Sequence, residues 1–317
     1  MWVATSFFNP VRYQRRLANY RTFRAKLAAP LITVELSFDG QFELRQDDAD
    51  ILIQISGGAV LWQKERLLNR ALESIPSGVE EIAWIDCDTL FGRPDWVQEA
   101  KAQLRHNNVV QLFSDMLDLG PEELSFSAAH AGAAPSCQGI VHLHNLAGEE
   151  AFVIPAKHPS LRPISRGFAW AARRSILETH GLYDACIIGS GDRSMAFAMY
   201  GQFDDVMRSL AMNDVRQQHY LRWAVPFHQS IAGRIGYVPG RIYHLWHGDI
   251  KNRNYSNRHQ LLSKFGFDPN LDVKVGNSGA WEWARPKPEL VHFLEQFFRS
   301  RAEDGGTVDG NPGESQA

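Results

Sequence analysis

The fold of this 317-residue chain is indicated by one stretch of its sequence, Trp84-Ile85-Asp86-Cys87-Asp88-Thr89-Leu90-Phe91. The run Glu81 to Ile85 predicts a strand that ends in two acids one residue apart. In open α/β sheets, ligands bind beyond the carboxyl ends of the strands. Hard divalent cations prefer oxygen ligands, so this acid pair has a function if such a cation is present. The alternative is that Asp86 and Asp88 only cap a turn.

Short apolar runs and helical patterns alternate on both sides of this stretch. Strands are predicted at residues 2–7, 31–36, 51–55, 81–85 and 109–113, and helices at residues 10–27, 61–75 and 94–104. This alternation predicts an α/β fold with a mostly parallel central sheet flanked by helices.

The second half of the chain is less regular. Residues 115–165 are rich in Gly, Ala, Pro, Ser and His, and predict a long loop region with one hairpin at most. Loops of this length inside a compact domain are usually functional, so we expect this region to take part in the activity of the protein. Helices are predicted at residues 168–180, 194–200, 204–223 and 288–298, and strands at residues 235–238 and 242–245.

The composition is that of a folded protein, with 44% hydrophobic, 11% aromatic and 22% charged residues. The formal net charge of −3 excludes a generally basic nucleic-acid-binding protein. Three scattered cysteines and an N-terminus without a signal-peptide pattern favour a cytoplasmic protein. Residues 302–317 contain four acids and no Lys or Arg, so we expect a disordered tail and a nearly neutral body.

Two histidines and three cations form a second group of candidate residues. His244 and His247 follow a predicted strand, and Lys251, Arg253 and Arg258 come shortly after them. Imidazole accompanies carboxylate at manganese-type sites, and the cations suit a diphosphate that gains charge as its bond breaks. The alternative is a core histidine beside a solvated basic loop.

Glycine-rich turns form the third group, which ends in an acid at a helix start. The segments are Gly167-Phe168-Ala169-Trp170-Ala171-Ala172-Arg173-Arg174, Gly181-Leu182-Tyr183-Asp184 and Gly189-Ser190-Gly191-Asp192. Glycine lets the backbone approach a ligand closely. Asp192 opens a predicted helix, where an acid is either a cap or a catalytic base.

The order of these three groups resembles a nucleotide-sugar-dependent glycosyltransferase of the GT-A fold, of the family-2 or galactosyltransferase type. The segment Leu67-Leu68-Asn69-Arg70-Ala71 also resembles the helix that such enzymes carry beside the nucleotide base. The resemblance spans residues 1–265. It implies a nucleotide-binding half at residues 1–113 and an acceptor and metal half at residues 114–265. A C-terminal helical extension at residues 266–301 and the disordered tail at residues 302–317 would follow.

The resemblance also implies roles for individual residues. Mn²⁺ or Mg²⁺ would be bound by Asp88, Asp86 and His247, with His244 either as an alternative ligand to His247 or as a residue that supports the ligands. A UDP- or GDP-sugar donor would be bound by Thr5, Ser6, Phe7, Glu35, Lys64, Asn69, Asp86, Lys251, Arg253 and Arg258. Trp170, Gly191 and Trp246 would contact the substrates, and Asp192 would deprotonate the acceptor hydroxyl in an inverting transfer.

The sequence departs from the family at one point, because many members carry an acid pair where this chain has Gly191-Asp192. The implied base therefore lacks a neighbouring acid. The implied acceptor is a glycan, a lipid-linked molecule or another hydroxyl compound, as in polysaccharide biosynthesis.

Two other functions fit parts of the sequence. Phosphatases of the haloacid-dehalogenase type carry Asp-x-Asp-Gly-Thr after a strand, whereas Thr89 here follows Asp88 directly, one residue short of that motif. A non-catalytic module that binds nucleotide sugars or glycans would keep the fold, but it would have no chemical reason to keep all four of Asp86, Asp88, His247 and Asp192.

The first predicted helix raises a separate question about partners. It carries Arg12, Arg15, Arg16, Arg21, Arg24 and Lys26 and no acid. This face is either solvated or in peripheral contact with anionic lipid, to which each charge would contribute about 1 kcal/mol.

Overall fold

A computed structural model describes residues 1–153, 163–253 and 257–306 of the chain. The strands are β1 (Trp2–Phe8), β2 (Leu31–Ser37), β3 (Ile51–Ser56), β4 (Glu81–Ile85), β5 (Thr89–Phe91), β6 (Val109–Gln111), β7 (Asp115–Asp118), β8 (Cys137–Gly139), β9 (Ile164–Ser165), β10 (Ala169–Arg173), β11 (Ile235–Tyr237), β12 (Arg241–His244), β13 (Val273–Val275) and β14 (Trp281–Trp283). The helices are α1 (Gln14–Lys26), α2 (Lys64–Leu72), α3 (Trp96–Leu104), α4 (Ala128–Gly132), α5 (Ile140–Ala147), α6 (Glu150–Val153), α7 (Arg174–His180), α8 (Gly191–Met199), α9 (Phe203–Ser209), α10 (Asp214–Ile231), α11 (Arg258–Lys264) and α12 (Pro288–Ser300).

The largest sheet has the strand order β11-β6-β10-β4-β1-β2-β3. Within the described residues, β10 is its one antiparallel strand. Every residue of β2 is buried, as expected for a central strand covered on both faces. The sequence predicts β3 to be buried as well, but β3 is an edge strand and its side chains are partly exposed. The α/β fold with a mostly parallel central sheet is confirmed.

Helices flank this sheet on both faces, because alternate strand residues point to opposite sides. Ala4 of β1 and Trp84 of β4 belong to one hydrophobic core, which also contains residues of α2 and α8. Their neighbours Val3 and Ala83 belong to a second core, which includes residues of α1 and α3. The sheet is therefore the middle layer between two helical layers.

The predicted helix at residues 168–180 is wrong in its first half. Residues Ala169–Arg173 form β10, which pairs antiparallel with both β4 and β6, and the helix begins only at Arg174. A short apolar run does not distinguish a buried strand from a buried helix, and its alanines favoured the helix. In this register Trp170 lies opposite Trp84, so it is a core residue and does not reach a sugar.

A second sheet contradicts the long loop region predicted at residues 115–165. Its order is β5-β12-β7-β8-β9, and α5 follows β8 directly. The strands have only two to four residues each, too few for a clear alternating pattern. The part of that prediction at residues 154–162 lies outside the described residues.

Other helix bounds differ by a few residues. The first helix begins at Gln14, because residues Asn9 to Tyr13 form a turn in which Asn9 bonds the amide of Tyr13. The helix predicted at residues 204–223 is divided into α9 and α10, and α10 continues through Pro226 to Ile231. In the ranges that the structure describes, the chain has no helix that is both long and apolar enough to cross a bilayer.

The C-terminal segment packs against the N-terminal half of the protein. Leu290, Leu294 and Phe298 of α12 are buried, and the Tyr13 hydroxyl donates to the carbonyl of Arg299. Beyond α12, the Asp304 carboxylate accepts hydrogen bonds from the first amides of α1, which has no acid of its own there. Residues 302–306, the start of the predicted tail, are thus part of the folded structure, and residues 307–317 lie outside the described ranges.

Candidate active site

A cleft of about 530 Å³ opens where β1 and β4 end. Its basic lining residues are Arg16, Lys64, Arg166, Arg193, Arg253, Arg258 and Arg301, and its acidic lining residues are Asp86, Asp88, Asp118, Asp192 and Glu303. Among the lining residues that the structure describes, cations therefore outnumber carboxylates by seven to five. Such a cleft attracts anionic ligands.

Asp88, His244 and His247 form a compact set in this cleft, which we call the imidazole group. The register of β12 between β5 and β7 places His244 beside Thr89 on one side and Asp118 on the other. Because β5 begins directly after Asp88, the same pairing brings His244 to that carboxylate. Asp88 Oδ2 lies 3.2 Å from His247 Nε2 and 3.7 Å from His244 Nε2.

The neighbouring charges and burial raise the pKa of one histidine of the imidazole group and lower that of the other. Burial alone would raise the pKa of Asp88, but His244, His247 and Arg253 outweigh it and hold that pKa well below its usual range. Burial would lower the pKa of His244, but Asp118 and Asp88 raise it to about 9. For His247 burial prevails, together with the charge of Arg253, and lowers the pKa to about 4.

The imidazole group could hold a divalent cation, because its ligand atoms lie within 4.8 Å of one another. His244 Nδ1 lies 2.7 Å from Asp118 Oδ1, which leaves Nε2 to face the group, as is usual for a metal-binding histidine. Asp88 Oδ1 is buried and has no hydrogen-bond partner among the described residues. One carboxylate with two imidazoles fits Mn²⁺ better than Mg²⁺, which prefers oxygen.

Asp86 lies apart from the imidazole group, although the resemblance gives it to the metal. Lys64 Nζ lies 2.5 Å from Asp86 Oδ1 and 2.7 Å from Asp192 Oδ2, so one ammonium joins two carboxylates. We call these three residues the lysine bridge. Burial raises the pKa of Asp86 to about 7 even though Lys64 opposes the shift. Asp86 Oδ1 therefore faces an ammonium, whereas the ligand atoms of Asp88 face two imidazoles.

Asp192 lies in the first turn of α8 with one oxygen fixed by the lysine bridge. Its other oxygen, Oδ1, is buried and has no partner in the described part of the chain. Gly167 makes room for this carboxylate, because a Cβ at that position would lie 2.9 Å from Asp192 Oδ2. A fixed carboxylate with one available oxygen is what a general base offers to a substrate hydroxyl.

Glu65 is a buried acid next to the cleft that the sequence analysis missed, although it is not part of the described lining. It is 1% exposed, and neither carboxyl oxygen has a partner among the residues described. A Cβ on Gly191 would lie 2.1 Å from Glu65 Oε1, so the glycine leaves the space that this carboxyl group fills. Burial raises the pKa of Glu65 to about 8. The acid that the sequence lacks next to Asp192 is thus supplied by α2, and its place directly after Lys64 was the available signal.

Arg16, Arg301 and Glu303 are further lining residues that the sequence analysis did not assign. Arg16 Nη2 lies 2.7 Å and Arg301 Nε 2.5 Å from Glu303 Oε1. Burial would raise the pKa of Glu303, but the two guanidinium groups hold it well below its usual range. Glu303 Oε1 also lies 3.7 Å from His247 Nδ1. The C-terminal segment therefore forms the wall of the cleft behind the imidazole group.

Phe168 is an aromatic lining residue in an unusual backbone conformation. Its φ is +71°, a value that bulky residues rarely adopt and that usually persists only at functional sites. Its carbonyl accepts a hydrogen bond of 2.7 Å from the amide of Asp86, and its ring centroid lies 4.8 Å from that of His244. Phe168 therefore presents an aromatic ring beside the imidazole group, where Trp170 does not reach.

Several residues that the resemblance assigns to the donor have structural partners instead. Ser6 lines the cleft, but the described lining does not include Thr5, Phe7, Glu35 or Asn69. Thr5 bonds the carbonyl of Ile85, Phe7 packs against Tyr20, Glu35 accepts from the amides of Glu43 and Leu44, and Asn69 bonds Leu182 and Asp184. These residues stabilise the elements that carry the cleft.

The basic segment after His247 divides between the cleft and solvent. Arg253 and Arg258 are buried and line the cleft. The Lys251 side chain is 79% exposed and lies 3.5 Å from Asp249. Trp246 packs under the guanidinium group of Arg15 and is not part of the described lining. Sequence proximity alone did not distinguish these positions.

Three of the six basic side chains predicted on the face of the first helix are paired with acids in the described structure. Arg12 pairs with Asp39, Arg16 with Glu303, and Arg24 with Asp50. Arg21 and Lys26 are exposed. A lipid surface would therefore meet fewer unpaired charges on this helix than the sequence alone suggests.

Comparison with known proteins gives a distant result. No protein-family model matches the chain, and no curated protein sequence matches it. A solved protein assigned as a nucleotide-diphospho-sugar transferase from Desulfovibrio desulfuricans G20 is 11% identical, with a TM-score of 0.34 over 84% of this chain and 94% of that one. A 4-diphosphocytidyl-2C-methyl-D-erythritol synthase from Anaerococcus prevotii DSM 20548 is 11% identical, with a TM-score of 0.30 over 76% of this chain and 89% of that one.

Proposed function

We propose that this protein is a metal-dependent glycosyltransferase, which moves a sugar from a nucleoside-diphosphate donor to an acceptor hydroxyl. The observation that carries the proposal is that the imidazole group and the lysine bridge line the same cleft. The imidazole group offers ligands for a divalent cation, and the lysine bridge holds the Asp192 carboxylate, which can accept a proton from a hydroxyl. The excess of basic lining residues suits a donor that carries a diphosphate.

Asp88, His244 and His247 would hold the cation, with Mn²⁺ favoured over Mg²⁺ by the two imidazoles. When bound, the cation supplies positive charge against the departing diphosphate. Asp118 orients His244 from behind. Arg253, which is 7% exposed and lines the same end of the cleft, adds a charge that is fixed in place before the reaction.

Asp192 would accept the proton of the attacking hydroxyl, in an inverting transfer. Lys64 fixes Asp192 Oδ2, so the proton goes to Oδ1, which has no partner among the described residues. Asp86 holds the other side of the ammonium and keeps Lys64 in place. The base is therefore oriented by Lys64 of α2 together with Asp86, which directly follows β4, instead of by an acid next to it in the sequence.

Ser6, Phe8 and Trp62 line the cleft from residues 1–113, the proposed nucleotide-binding half. The proposed acceptor and metal half, residues 114–265, supplies His244, His247 and Asp192. Arg301 and Glu303 come from outside both halves, so the C-terminal segment belongs to the same working unit. The proposal covers UDP- and GDP-sugars as donors and glycan or lipid-linked hydroxyls as acceptors, for a cytoplasmic enzyme of polysaccharide biosynthesis.

The test is a donor screen in which UDP- and GDP-sugars are incubated with the protein, with Mn²⁺ or with EDTA. We expect release of nucleoside diphosphate only with Mn²⁺, and transfer when an acceptor mixture is added. Asp192→Asn should reduce turnover by about 100-fold or more while leaving donor affinity within about threefold. The matched control is Asp205→Asn, which changes an exposed aspartate of α9.

Three results would contradict the proposal. Absence of Mn²⁺-dependent binding for every donor would remove the nucleotide-sugar function. Metal-dependent donor binding without turnover across the acceptor mixture would favour the non-catalytic binding module. Release of inorganic phosphate without sugar transfer would favour the phosphatase.

A further inference from the structure

Three arginines line the cleft around the N-terminal half of α8, and we call them the arginine cluster: Arg166, Arg193 and Arg258. Arg193 belongs to the first turn of α8. The Arg166 guanidinium lies 5.2 Å from the ring centroid of Phe197, which is one helical turn after Arg193. Arg166 and Arg193 therefore share one face of α8, on the side of the cleft that holds Asp192.

Ser190 connects this cluster to the start of α8. Its Oγ accepts a hydrogen bond of 2.8 Å from Arg258 Nη2 and lies 2.8 Å from His259 Nε2. Ser190 has φ +77°, where glycine would cost less, and its side chain makes no capping bond to the helix. The strained serine thus places a hydroxyl in the cleft and fixes it beside a guanidinium group, next to the amides that open a nine-residue helix.

The charges in this region favour an added anion. Burial, and then the charge of Arg193, lower the pKa of Arg166 to about 10. Burial and the charges of Arg258, Arg216 and Arg193 lower the pKa of His259 to about 2. Arg166 Nε is buried and has no hydrogen-bond partner in the part of the chain described.

Arg166 and Arg193 are distinct from the imidazole group, whereas Arg258, which the resemblance gives to the donor, lies between the two: Arg258 and Arg301 both pack on the ring of Phe297. The cations that act on the imidazole group are Arg253 and, through Glu303, Arg16 and Arg301. The arginine cluster acts on Ser190 and His259 instead. The lysine bridge, with the candidate base, belongs to the same α8 end as the cluster. An anion bound there would therefore belong to a molecule that approaches Asp192.

We propose that the arginine cluster, with Ser190 and the first amides of α8, is a second anion site that binds a phosphate group of the acceptor. Phosphate is favoured over a carboxylate for two reasons. Guanidinium groups bind its oxygens with paired hydrogen bonds, and the two negative charges of a phosphate monoester suit a site that contains several arginines. This inference rests on the proposed function, because only in a glycosyltransferase with Asp192 as base is the bound molecule the acceptor. The phosphate would hold the acceptor hydroxyl near Asp192 Oδ1.

The first experiment measures binding of inorganic phosphate, glucose 6-phosphate and glucose to the full chain by calorimetry, in EDTA and without nucleotide. We expect both phosphates to bind with dissociation constants within about tenfold of each other, and glucose not to bind. Each titration is repeated with Mn²⁺ and saturating UDP or GDP present. Phosphate should still bind, because we place the donor diphosphate beside the imidazole group and the phosphate beside Arg166 and Arg193.

Variants test the residues. Arg166→Gln and Arg193→Gln should each weaken phosphate binding by about tenfold or more, since each removes a charged donor. Ser190→Gly relieves the strained backbone, so it should remain folded while weakening phosphate binding about threefold or more. The matched control is Arg208→Gln, whose side chain is 76% exposed on α9 and which should change nothing.

The outcomes separate this inference from the proposed function. Phosphate binding in EDTA, lost in Arg166→Gln and retained with UDP or GDP bound, supports the second site even if no donor is ever turned over. Displacement of phosphate by the nucleoside diphosphate would overturn it, because the cluster would then belong to the donor. Unchanged phosphate affinity in folded Arg166→Gln and Ser190→Gly, or no binding at all, would overturn it as well.

Discussion

Asp86 and Asp88 follow the same strand with one residue between them, yet their carboxylates have different neighbours and opposite pKa shifts. Asp88 faces two imidazoles, which lower its pKa and leave Oδ1 without a hydrogen-bond partner among the described residues. Asp86 faces an ammonium at 2.5 Å, and burial raises its pKa to about 7. One end of the cleft thus offers ligand atoms, whereas the other offers a completed ion pair.

The difference shows why an Asp-x-Asp pair need not act as a pair. Asp86 and Asp88 lie in the turn between β4 and β5, where the chain changes direction, so their carboxylates face different elements. β12 and β7 bring His244 and Asp118 to Asp88, and α2 brings Lys64 to Asp86. A neutral imidazole leaves room for a cation beside Asp88, whereas the single ammonium of Lys64 already lies between Asp86 and Asp192. We therefore expect substitutions at the two ends to change different properties.

The largest effect should come from Asp88→Asn, which removes the carboxylate of the imidazole group. We expect metal-dependent turnover to fall by about a thousandfold or more, equivalent to about 4 kcal/mol of transition-state stabilisation. Asp118→Asn should reduce metal affinity by only about 10- to 100-fold, because Asp118 orients His244 from behind. Steady-state kinetics against Mn²⁺ concentration measure both effects.

Asp86→Asn provides the comparison for that prediction. Its turnover should depend on Mn²⁺ concentration as the unchanged protein does. A shift of the Mn²⁺ dependence in Asp86→Asn as large as in Asp88→Asn would show that both carboxylates bind the metal, and the proposed division between the ends would be wrong.

The next effect is on stability and comes from Lys64→Met, which removes the ammonium of the lysine bridge. Two carboxylates would be left together in a mostly buried position, so the free energy of unfolding should fall by about 3–5 kcal/mol. Urea unfolding followed by fluorescence measures this loss. Lys274→Met, at a side chain that is 60% exposed, should change stability by no more than about 0.5 kcal/mol.

A double substitution distinguishes the charge effect from a packing effect. Lys64→Met combined with Asp192→Asn should recover part of the lost stability, because one uncompensated charge is removed with the ammonium. If the double variant is as unstable as the sum of the single variants, the lysine bridge does not couple these residues.

Much of the fold could be predicted because its strands are local signals. β1, β2, β4 and β12 are short apolar runs bounded by polar residues, and their predicted positions are confirmed within one or two residues. β10 could not be predicted, because its alanines fit a helix equally well and only pairing with β4 and β6 makes it a strand. The short strands of the second sheet lacked enough residues for a pattern.

The site was predictable where chemistry coincided with a strand end. Asp88 and His244 meet because the end of β12 pairs with the start of β5, which directly follows Asp88, and their residue types suggested a metal. Glu65 and Glu303 carried no such signal. Glu303 belongs to a Gly-rich acidic segment, and its partner Arg16 lies 287 positions earlier in the sequence. Which distant base neutralises which acid depends on the packing of α1 against the C-terminal segment, and a single sequence does not encode that pairing locally.

A smaller effect should appear in the pH dependence of Glu65→Gln. The pKa of Glu65 is about 8 in the folded protein, above the value near 4.3 expected in the unfolded chain. Between these values the folded state holds a proton that the unfolded state has lost, so the stability of the unchanged protein falls as pH rises. Glu65→Gln removes this contribution, and it should lose less stability between pH 5 and pH 8.

Urea unfolding at pH 5, 6.5 and 8 measures this difference, with Glu178→Gln as an exposed control on α7. If the unchanged protein and Glu65→Gln lose stability in parallel over this range, Glu65 does not hold a proton in the folded state. The carboxyl beside Gly191 would then be a charged member of the lysine bridge, and the end of the cleft at Asp192 would be more negative than proposed.

The smallest effect is on nucleotide affinity, and it should distinguish Arg253 from Lys251, which the sequence analysis placed in one group. Arg253 is buried beside the imidazole group, whereas the Lys251 side chain is 79% exposed. We expect Arg253→Gln to weaken Mn²⁺-dependent binding of UDP or GDP by about tenfold, because it removes a charged donor from a desolvated position. Lys251→Gln should change the same dissociation constant by no more than about twofold, because water and salt screen an exposed charge. Calorimetric titration at two salt concentrations measures both, and an equal loss in the two variants would mean that the loop after His247 turns Lys251 into the cleft when nucleotide binds.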